Sequence, residues 1–166
     1  DLPELIDGRS VGGGPAQAFR LDLQGGLQHE SNGKDDLDSR SLNILYLRPT
    51  VTLGRPDSLQ LTLIPRVWAY VGDLEDNPDL ADYRGYGDLR AVLGWKRGLQ
   101  VSALGRIGDD GGHGSLQLDV TYPMMRLLSR SLGIYFHLQY FTGYGESLLD
   151  YDESSSGLRV GISLYR

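Results

Sequence analysis

Apolar and polar residues alternate with a period of two along most of this 166-residue chain. In the first such segment, Asp22 separates Leu21 from Leu23, and Arg20 separates Leu21 from Phe19. This period places successive side chains on opposite faces of a β-strand, whereas a helix has a period of about 3.6. The same alternation occurs in eight segments, at 17–31, 42–53, 59–71, 89–95, 99–107, 116–122, 132–140 and 158–164. The sequence therefore predicts eight strands of roughly ten residues, each with one apolar face.

The connections between the predicted strands alternate between long and short. The longer, polar or glycine-rich loops span 32–40, 72–86, 108–114 and 143–157. The tight turns and one connection of intermediate length span 54–58, 96–98 and 124–131. Outer-membrane barrels sort their connections in this way, with short periplasmic turns and longer external loops. We therefore predict an all-β fold, an antiparallel up-and-down transmembrane β-barrel, in residues 17–166, preceded by a segment 1–16 of unclear role.

Composition excludes several other classes of protein. The formal net charge is -6, from 16 Lys and Arg against 22 Asp and Glu, so the chain has no electrostatic footprint for nucleic acid. The chain contains no cysteine, which excludes a disulfide framework, a thiolate zinc site and a cysteine nucleophile. No apolar run reaches the roughly 18–20 residues of a membrane helix. The mean hydropathy of -0.29 is compatible with a membrane barrel, because every second residue of an alternating strand is polar and lowers the mean.

A soluble lipocalin-like barrel has the same period, with its apolar face turned inward. Two features favour the membrane barrel. The polar face carries many charged residues at mid-strand, as a paired polar lumen requires: Arg20, Asp22, Arg48, Arg66, Arg90, Arg106, Asp119 and Arg159. Aromatic residues near strand ends of the apolar face, namely Trp95, Tyr122 and Tyr140, are placed for an interfacial girdle.

The hairpin 27–45 combines three polar side chains on an otherwise apolar face. His29, Ser31 and Asn43 all share the parity of the apolar residues on their own strands. If the loop is symmetric about Asp36, His29 lies directly opposite Asn43, where Cβ atoms are about 4.5–5.5 Å apart. His29 and Ser31 are separated by about 6.6–6.8 Å along one strand, so the imidazole must lean along the strand to reach the hydroxyl.

These three residues are a nucleophile, a base and a group that orients the base, as acyl transfer requires. Ser31 is inert alone, His29 is placed to remove its proton, and the Asn43 amide is placed to fix the imidazole tautomer. The backbone amides of Gly33 and its neighbours are placed to donate hydrogen bonds to an oxyanion. In the alternative interpretation, His29 and Ser31 merely begin a polar loop. A lipid-facing surface is an unusual place for such groups, which favours a functional site.

The hairpin sequence at 29–33, followed by 39–43, resembles the catalytic segment of the outer membrane phospholipase A family. Further segments that resemble this family are 143–151, 159–161 in the last strand, 76–79 and 122–123. Together they extend from about residue 17 to the C-terminus. As a set they are far more specific than a His-x-Ser pattern alone.

The resemblance implies a calcium-dependent lipase of the bacterial outer membrane, with a Ser-His-Asn site on the outer wall of a twelve-stranded barrel. It implies activity as a homodimer on phospholipid, with cleavage at the 1-acyl or 2-acyl position. It assigns Ser31 as the nucleophile, His29 as the base and Asn43 as the residue that orients it. Ser39 matches the calcium-ligand serine, and the main-chain carbonyl of Lys34 matches a second ligand.

Eight strands are predicted here, and the four others of such a barrel would precede residue 17. Residues 1–16 are rich in glycine and proline and do not have the strand pattern. The chain is therefore a C-terminal portion, a sequence that skips segments, or a shortened barrel. Two rival functions remain: a non-catalytic barrel, either a porin or a structural anchor, with a degenerate lipase hairpin, and a soluble lipid-binding barrel.

The remaining polar candidates are assigned structural positions. We expect Glu30 at the lumen or its rim, and His137 in the lumen. We expect Glu146 and Asp150 to belong to a loop or lumen network rather than to acid–base catalysis. The loop 109–113 lacks the spacing of an EF-hand and is interpreted as a solvated turn.

Overall fold

The computed structural model describes residues 18–34, 39–72, 74, 77–124 and 133–164. Its eight strands form one antiparallel sheet in which every strand pairs with its neighbours in sequence. The strands are β1 (Phe19–Ser31), β2 (Ser41–Leu53), β3 (Gln60–Tyr70), β4 (Gly87–Gly94), β5 (Gln100–Ile107), β6 (Gly114–Pro123), β7 (Tyr135–Gly143) and β8 (Ser155–Ser163). The predicted strand number and up-and-down order are confirmed. In the described residues the sheet is open, with β1 and β8 at its edges. The segment 1–16 lies outside the described residues.

The two faces of this sheet differ in chemistry and in exposure. All eight strands carry large apolar side chains that remain exposed on one face, up to 70% for Ile107 and Ile162. The residues of the proposed aromatic girdle, Trp95, Tyr122 and Tyr140, are exposed on that same face. On the other face the central charged groups are covered, since the side chains of Asp88 and Arg106 are only 6% and 12% exposed. The apolar face is therefore the outward-facing one, whereas a soluble barrel turns its apolar face inward. An apolar surface of this extent needs lipid or a partner to cover it.

The inner face carries paired charges and amides. Arg66 binds the carboxylate of Asp88 at 2.5 Å, and Arg106 lies 3.8 Å from the same oxygen. Further along the sheet, Asp119 accepts hydrogen bonds from Ser102 at 3.1 Å and Gln139 at 2.9 Å. The predicted polar lumen is thereby confirmed.

His137 also belongs to the inner face. Its Nε2 atom lies 3.0 Å from Asp119 Oδ1. A buried carboxylate needs such partners, because desolvation of an unpaired charge is costly. The expected lumen position of His137 is confirmed.

The long connection between β3 and β4 contains a short helix, α1 (Leu80–Arg84). Sequence periodicity missed it, because five residues are too few to show a period of about 3.6. Leu80 is fully buried in a cluster at the long-loop end, together with Leu42, Ile44, Trp68, Leu148 and Tyr151. Leu42 and Ile44 alternate with Asn43 on β2 and therefore lie on the inner face, so α1 packs behind the outer wall of the hairpin. No helix in the described ranges is long and apolar enough to cross a membrane.

Polar side chains of the long loops bind one another or a nearby strand residue. The Tyr151 hydroxyl donates to the carboxylate of Asp79. Burial, together with this nearby carboxylate, raises the pKa of Tyr151. Glu146 binds Arg159 at 2.5 Å, and Ser147 donates to Asp150 at 3.2 Å, which confirms the expected network of these two acidic residues.

In the loop between β5 and β6, the Asp110 carboxylate binds other groups of the same loop. Asp110 accepts hydrogen bonds from the amides of Gly112 and His113, and it lies 2.6 Å from the His113 imidazole. Burial alone would raise the pKa of Asp110, but these donors lower it below its ordinary value. Among the described residues no group of three or more His, Asp or Glu side chains is arranged to hold a metal ion. Residues 109–112 are exposed, as a solvated turn requires, whereas the His113 ring packs against Tyr83 and Tyr144.

Candidate active site

The strand register of the first hairpin places His29 opposite Asn43. These two residues are paired across β1 and β2, as the symmetric loop predicted. His29 Nδ1 lies 2.9 Å from Asn43 Oδ1, and both residues are exposed on the outer face. An amide oxygen only accepts hydrogen bonds, so this contact requires the proton on Nδ1. In the neutral imidazole, Nε2 is then the nitrogen without a proton and is available as a base.

Ser31 is the last residue of β1 and pairs with Ser41. Its Oγ atom accepts a hydrogen bond from the Gly33 amide at 3.2 Å. In the described part of the chain no hydrogen bond joins Ser31 to His29. Two residues of one strand are about 6.6–6.8 Å apart, and the imidazole must lean along β1 to close that gap. Catalytic hydrogen bonds are often long in an enzyme without substrate and tighten when substrate binds.

Gly33 adopts a left-handed backbone conformation, with φ of +66°. A Cβ atom at this position would meet nothing within 4 Å, so the conformation, rather than lack of space, favours glycine. This conformation directs the Gly33 amide at Ser31 Oγ. A backbone donor beside the nucleophile is the kind of group that stabilises an oxyanion.

Asn32 fixes the base of the same hairpin loop, a role that the sequence interpretation missed. Its Oδ1 atom accepts hydrogen bonds from the amides of Lys34 at 3.2 Å and Arg40 at 3.1 Å. The backbone N–H of Asn32 donates to the Arg40 carbonyl at 3.1 Å. An asparagine followed by glycine is a recognised turn signal, since the short amide side chain bonds backbone groups nearby. Asn32 thereby holds both sides of the loop together.

The two residues matched to calcium ligands, Lys34 and Ser39, lie at the base of this loop. The backbone amide of Lys34 donates to Asn32 Oδ1, and Ser39 directly precedes Arg40, whose amide donates to the same atom. Residues 35–38 lie outside the described ranges. The Lys34 carbonyl and the Ser39 hydroxyl are oxygen donors, which suit a hard cation such as calcium. Calcium takes about six to eight oxygens, so these two neutral donors fit as part of a larger set. Their assignment as ligands stays a prediction.

An apolar groove lies beside the polar cluster on the outer face. Its volume is about 560 Å³. It is lined by Gly25, Gly26, Leu27, Leu45, Tyr46, Leu47, Val67, Trp68 and Ala69. Leu27 and Leu45 pair with each other and are the next outward-facing neighbours of His29 and Asn43 on β1 and β2. The groove therefore leads away from the polar cluster into the apolar wall.

A family model described as phospholipase A1 matches residues 12–164 of this chain. The chain belongs to the phospholipase A1 family. Among the relatives, phospholipase A1 of Escherichia coli K12 is 34% identical over 144 residues, which cover 86% of this chain and 45% of that protein. The Klebsiella pneumoniae phospholipase A1 is also 34% identical and is covered to 46%. The chain spans about a third to a half of the length of the curated relatives it matches.

Solved structures of this phospholipase family share the fold. Outer membrane phospholipase A from Escherichia coli matches with a TM-score of 0.75 and 32% identity, over 87% of this chain and 56% of that chain. The Salmonella typhi outer membrane phospholipase, a dimer with bound calcium, matches with a TM-score of 0.74 and 29% identity, over 87% and 52%. An Escherichia coli variant with an active-site asparagine changed to alanine matches with a TM-score of 0.74 and 30% identity, over 89% and 55%. This phospholipase-family chain is thus a β-barrel protein of the bacterial outer membrane.

Proposed function

We propose that this chain hydrolyses acyl ester bonds of glycerophospholipids in the outer membrane. The hydrogen bond between His29 and Asn43, on a lipid-facing wall and beside Ser31, is the observation that carries the proposal. Membership of the phospholipase A1 family supports the same substrate class. The active-site asparagine of the Escherichia coli relative supports a functional role for Asn43.

In this mechanism His29 Nε2 takes the proton of Ser31 as its Oγ attacks the ester carbonyl. Asn43 holds the Nδ1 proton and stabilises the imidazolium that forms. The Gly33 amide donates to the oxyanion of the tetrahedral intermediate. His29 then gives the proton to the departing lysophospholipid oxygen, and Ser31 keeps the acyl group. Water, activated by His29, releases the fatty acid in a second step.

The outer position of the site suits a substrate that already lies in the membrane. The ester reaches Ser31 while one acyl chain lies in the groove lined by Leu27, Leu45 and Ala69. The acyl chain then stays in an apolar environment throughout, so binding does not cost the free energy of exposing that chain to water. A lumen-facing site would require the lipid to cross a charged network.

We propose calcium as the cofactor and a second copy of the chain as the partner. The Ser39 hydroxyl and the Lys34 carbonyl would hold the ion, and the Salmonella typhi relative is a dimer with bound calcium. When bound, calcium would supply positive charge that stabilises an oxyanion. Two oxygens leave most of its coordination shell to water or to other residues.

The test is fatty-acid release from phospholipid–detergent mixed micelles, with calcium or with EDTA. We expect calcium-dependent release that falls by at least about 10³-fold in Ser31→Ala, because the nucleophile is lost. Ser156→Ala is the matched control, since Ser156 is an exposed serine of the outer face of β8. Release that is absent from the folded wild-type chain, or equal in Ser31→Ala, would contradict the proposal and favour a non-catalytic barrel.

A further inference from the structure

We infer that Arg84 of α1 is a positioning residue for the nucleophile strand and acts through Glu30. Glu30 lies between His29 and Ser31 on β1, and its side chain is directed to the opposite, inner face. Arg84 Nη1 binds Glu30 Oε1 at 3.1 Å, and the expected rim position of Glu30 is thereby confirmed. The catalytic consequence rests on the proposed function, whereas the contact itself does not.

The outer wall offers little that could fix this part of β1. His29, Ser31 and Asn43 are all exposed on that side, and β1 pairs only with β2 in the described sheet. The orientation of the strand end therefore depends on contacts from the inner side. The Arg84–Glu30 contact joins residues 54 positions apart and lies directly behind the two catalytic candidates of β1.

Arg84 also packs against the loop that follows β7. The Arg84 side chain is only 14% exposed. Its stem lies against the turn at Gly145, where an added Cβ would come within 2.7 Å of Arg84 Cγ. Gly145 has φ of +70°, and its amide donates to the Tyr151 carbonyl at 3.0 Å. The glycine-rich segment after β7, which has no role in the proposed chemistry, thus supports the stem of the Arg84 side chain.

The segment that carries Arg84 is anchored in the fold. Leu80 is fully buried, and Tyr70 donates a hydrogen bond to the Gly85 carbonyl at 3.0 Å. Asn77, which is also fully buried, donates to the Ser41 carbonyl at 2.9 Å. Ser41 is the β2 partner of Ser31. Both strands of the catalytic hairpin are therefore held from behind by residues 77–85.

Catalysis is sensitive to such support, because a displacement of about 1 Å can cost on the order of 10²-fold in rate. Arg84→Met keeps the apolar stem and removes the charge. We expect kcat to fall about tenfold in Arg84→Met and in Glu30→Gln, with KM unchanged. In the double variant the loss should be no larger than in either single variant. Arg84→Lys should recover much of the activity.

Hydrogen–deuterium exchange in detergent measures the same effect without hydrolysis. We expect Arg84→Met to speed exchange of the amides of 29–33, with no change in strands β5–β7. Arg20→Met is the matched control, because it removes another arginine–carboxylate pair, with Asp22, at the opposite end of β1. It should alter neither the exchange at 29–33 nor kcat.

Unchanged exchange at 29–33 in Arg84→Met would overturn the inference, whatever the hydrolysis rate. Losses in Arg84→Met and Glu30→Gln that add fully in the double variant would also overturn it. If the wild-type chain hydrolyses nothing and exchange at 29–33 still rises in Arg84→Met, the proposed function fails but the positioning contact stands.

Discussion

Asn43 illustrates how one neutral residue can determine the chemistry of its neighbour. Its amide oxygen lies 2.9 Å from His29 Nδ1 and so selects the tautomer with Nε2 free. We expect Asn43→Ala to lower kcat by about 10²-fold, since general-base catalysis contributes roughly 10²–10⁴. KM should change little, because Asn43 does not contact the acyl chain in the proposed mechanism. The measurement is steady-state hydrolysis of a soluble ester and of mixed micelles.

Asn43→Asp is the control for this prediction. A carboxylate also accepts from Nδ1–H, so Asn43→Asp should retain most of the activity. Thermal unfolding should be nearly the same in both variants, because Asn43 is exposed. Equal activity of the alanine variant and the wild-type chain would show that the amide does not orient His29.

Lys34 and Ser39 differ in the atom that each would offer to calcium. Ser39 would use its side chain, whereas Lys34 would use its main-chain carbonyl. Ser39→Ala should therefore raise the calcium concentration for half-maximal activity by about 10- to 100-fold, in the range known for weakened metal sites. Lys34→Ala should leave that concentration nearly unchanged, because the carbonyl remains. A calcium titration of hydrolysis tests both, and equal shifts in the two variants would contradict the ligand assignment.

At the scale of strands, the outer groove connects the site to the membrane. Ala69 is exposed in this groove on β3, opposite Leu45. We expect Ala69→Leu to raise KM severalfold for long-chain phospholipid and to leave short-chain esters unaffected, because the added side chain narrows the groove. Ala103→Leu, on the outer face of β5, is the matched control and should change neither. A uniform effect on long and short chains would contradict acyl binding in the groove.

The elements that the sequence predicted well are those that depend on local pattern. A period of two and the symmetry of one loop were enough to place His29 opposite Asn43, because strand register follows from parity and turn position. The helix α1 could not be found in this way. Its burial depends on Leu42 and Leu148, which are distant in sequence, and no short window contains that information.

In the candidate site, too, local pattern predicts some features, and contacts between distant residues or side-chain torsions decide the others. The predicted residues of the hairpin share the outer face, but the lean of the imidazole toward Ser31 is a side-chain torsion that alternation does not specify. The Arg84–Glu30 pair also escaped prediction, because Glu30 belongs to one strand and Arg84 to a distant loop, and no local pattern connects them. Only the Asn32 turn had a usable local signal, its Asn-Gly dipeptide.

At the scale of the whole molecule, the apolar outer face and the open sheet lead to one expectation about environment. The exposed side chains of all eight strands require lipid or detergent, and the strand that carries Ser31 lies at an edge of the described sheet. In the proposed site, Ser39 and Lys34 of each copy would offer two neutral oxygens to calcium, fewer than the six to eight that the ion takes. If a second copy supplies further ligands, calcium binding and dimer formation must be linked.

This linkage is reciprocal: the factor by which calcium strengthens the dimer is the factor by which the dimer strengthens calcium binding. We expect sedimentation in detergent to show a monomer with EDTA and an increased dimer fraction with calcium. Ser39→Ala should need about 10- to 100-fold more calcium for the same dimer fraction, whereas Lys34→Ala should match the wild-type chain. Specific activity should rise with protein concentration at fixed detergent and saturate as the dimer fraction saturates. A dimer fraction that calcium does not change, with activity still calcium-dependent, would place all the ligands of the ion within one copy.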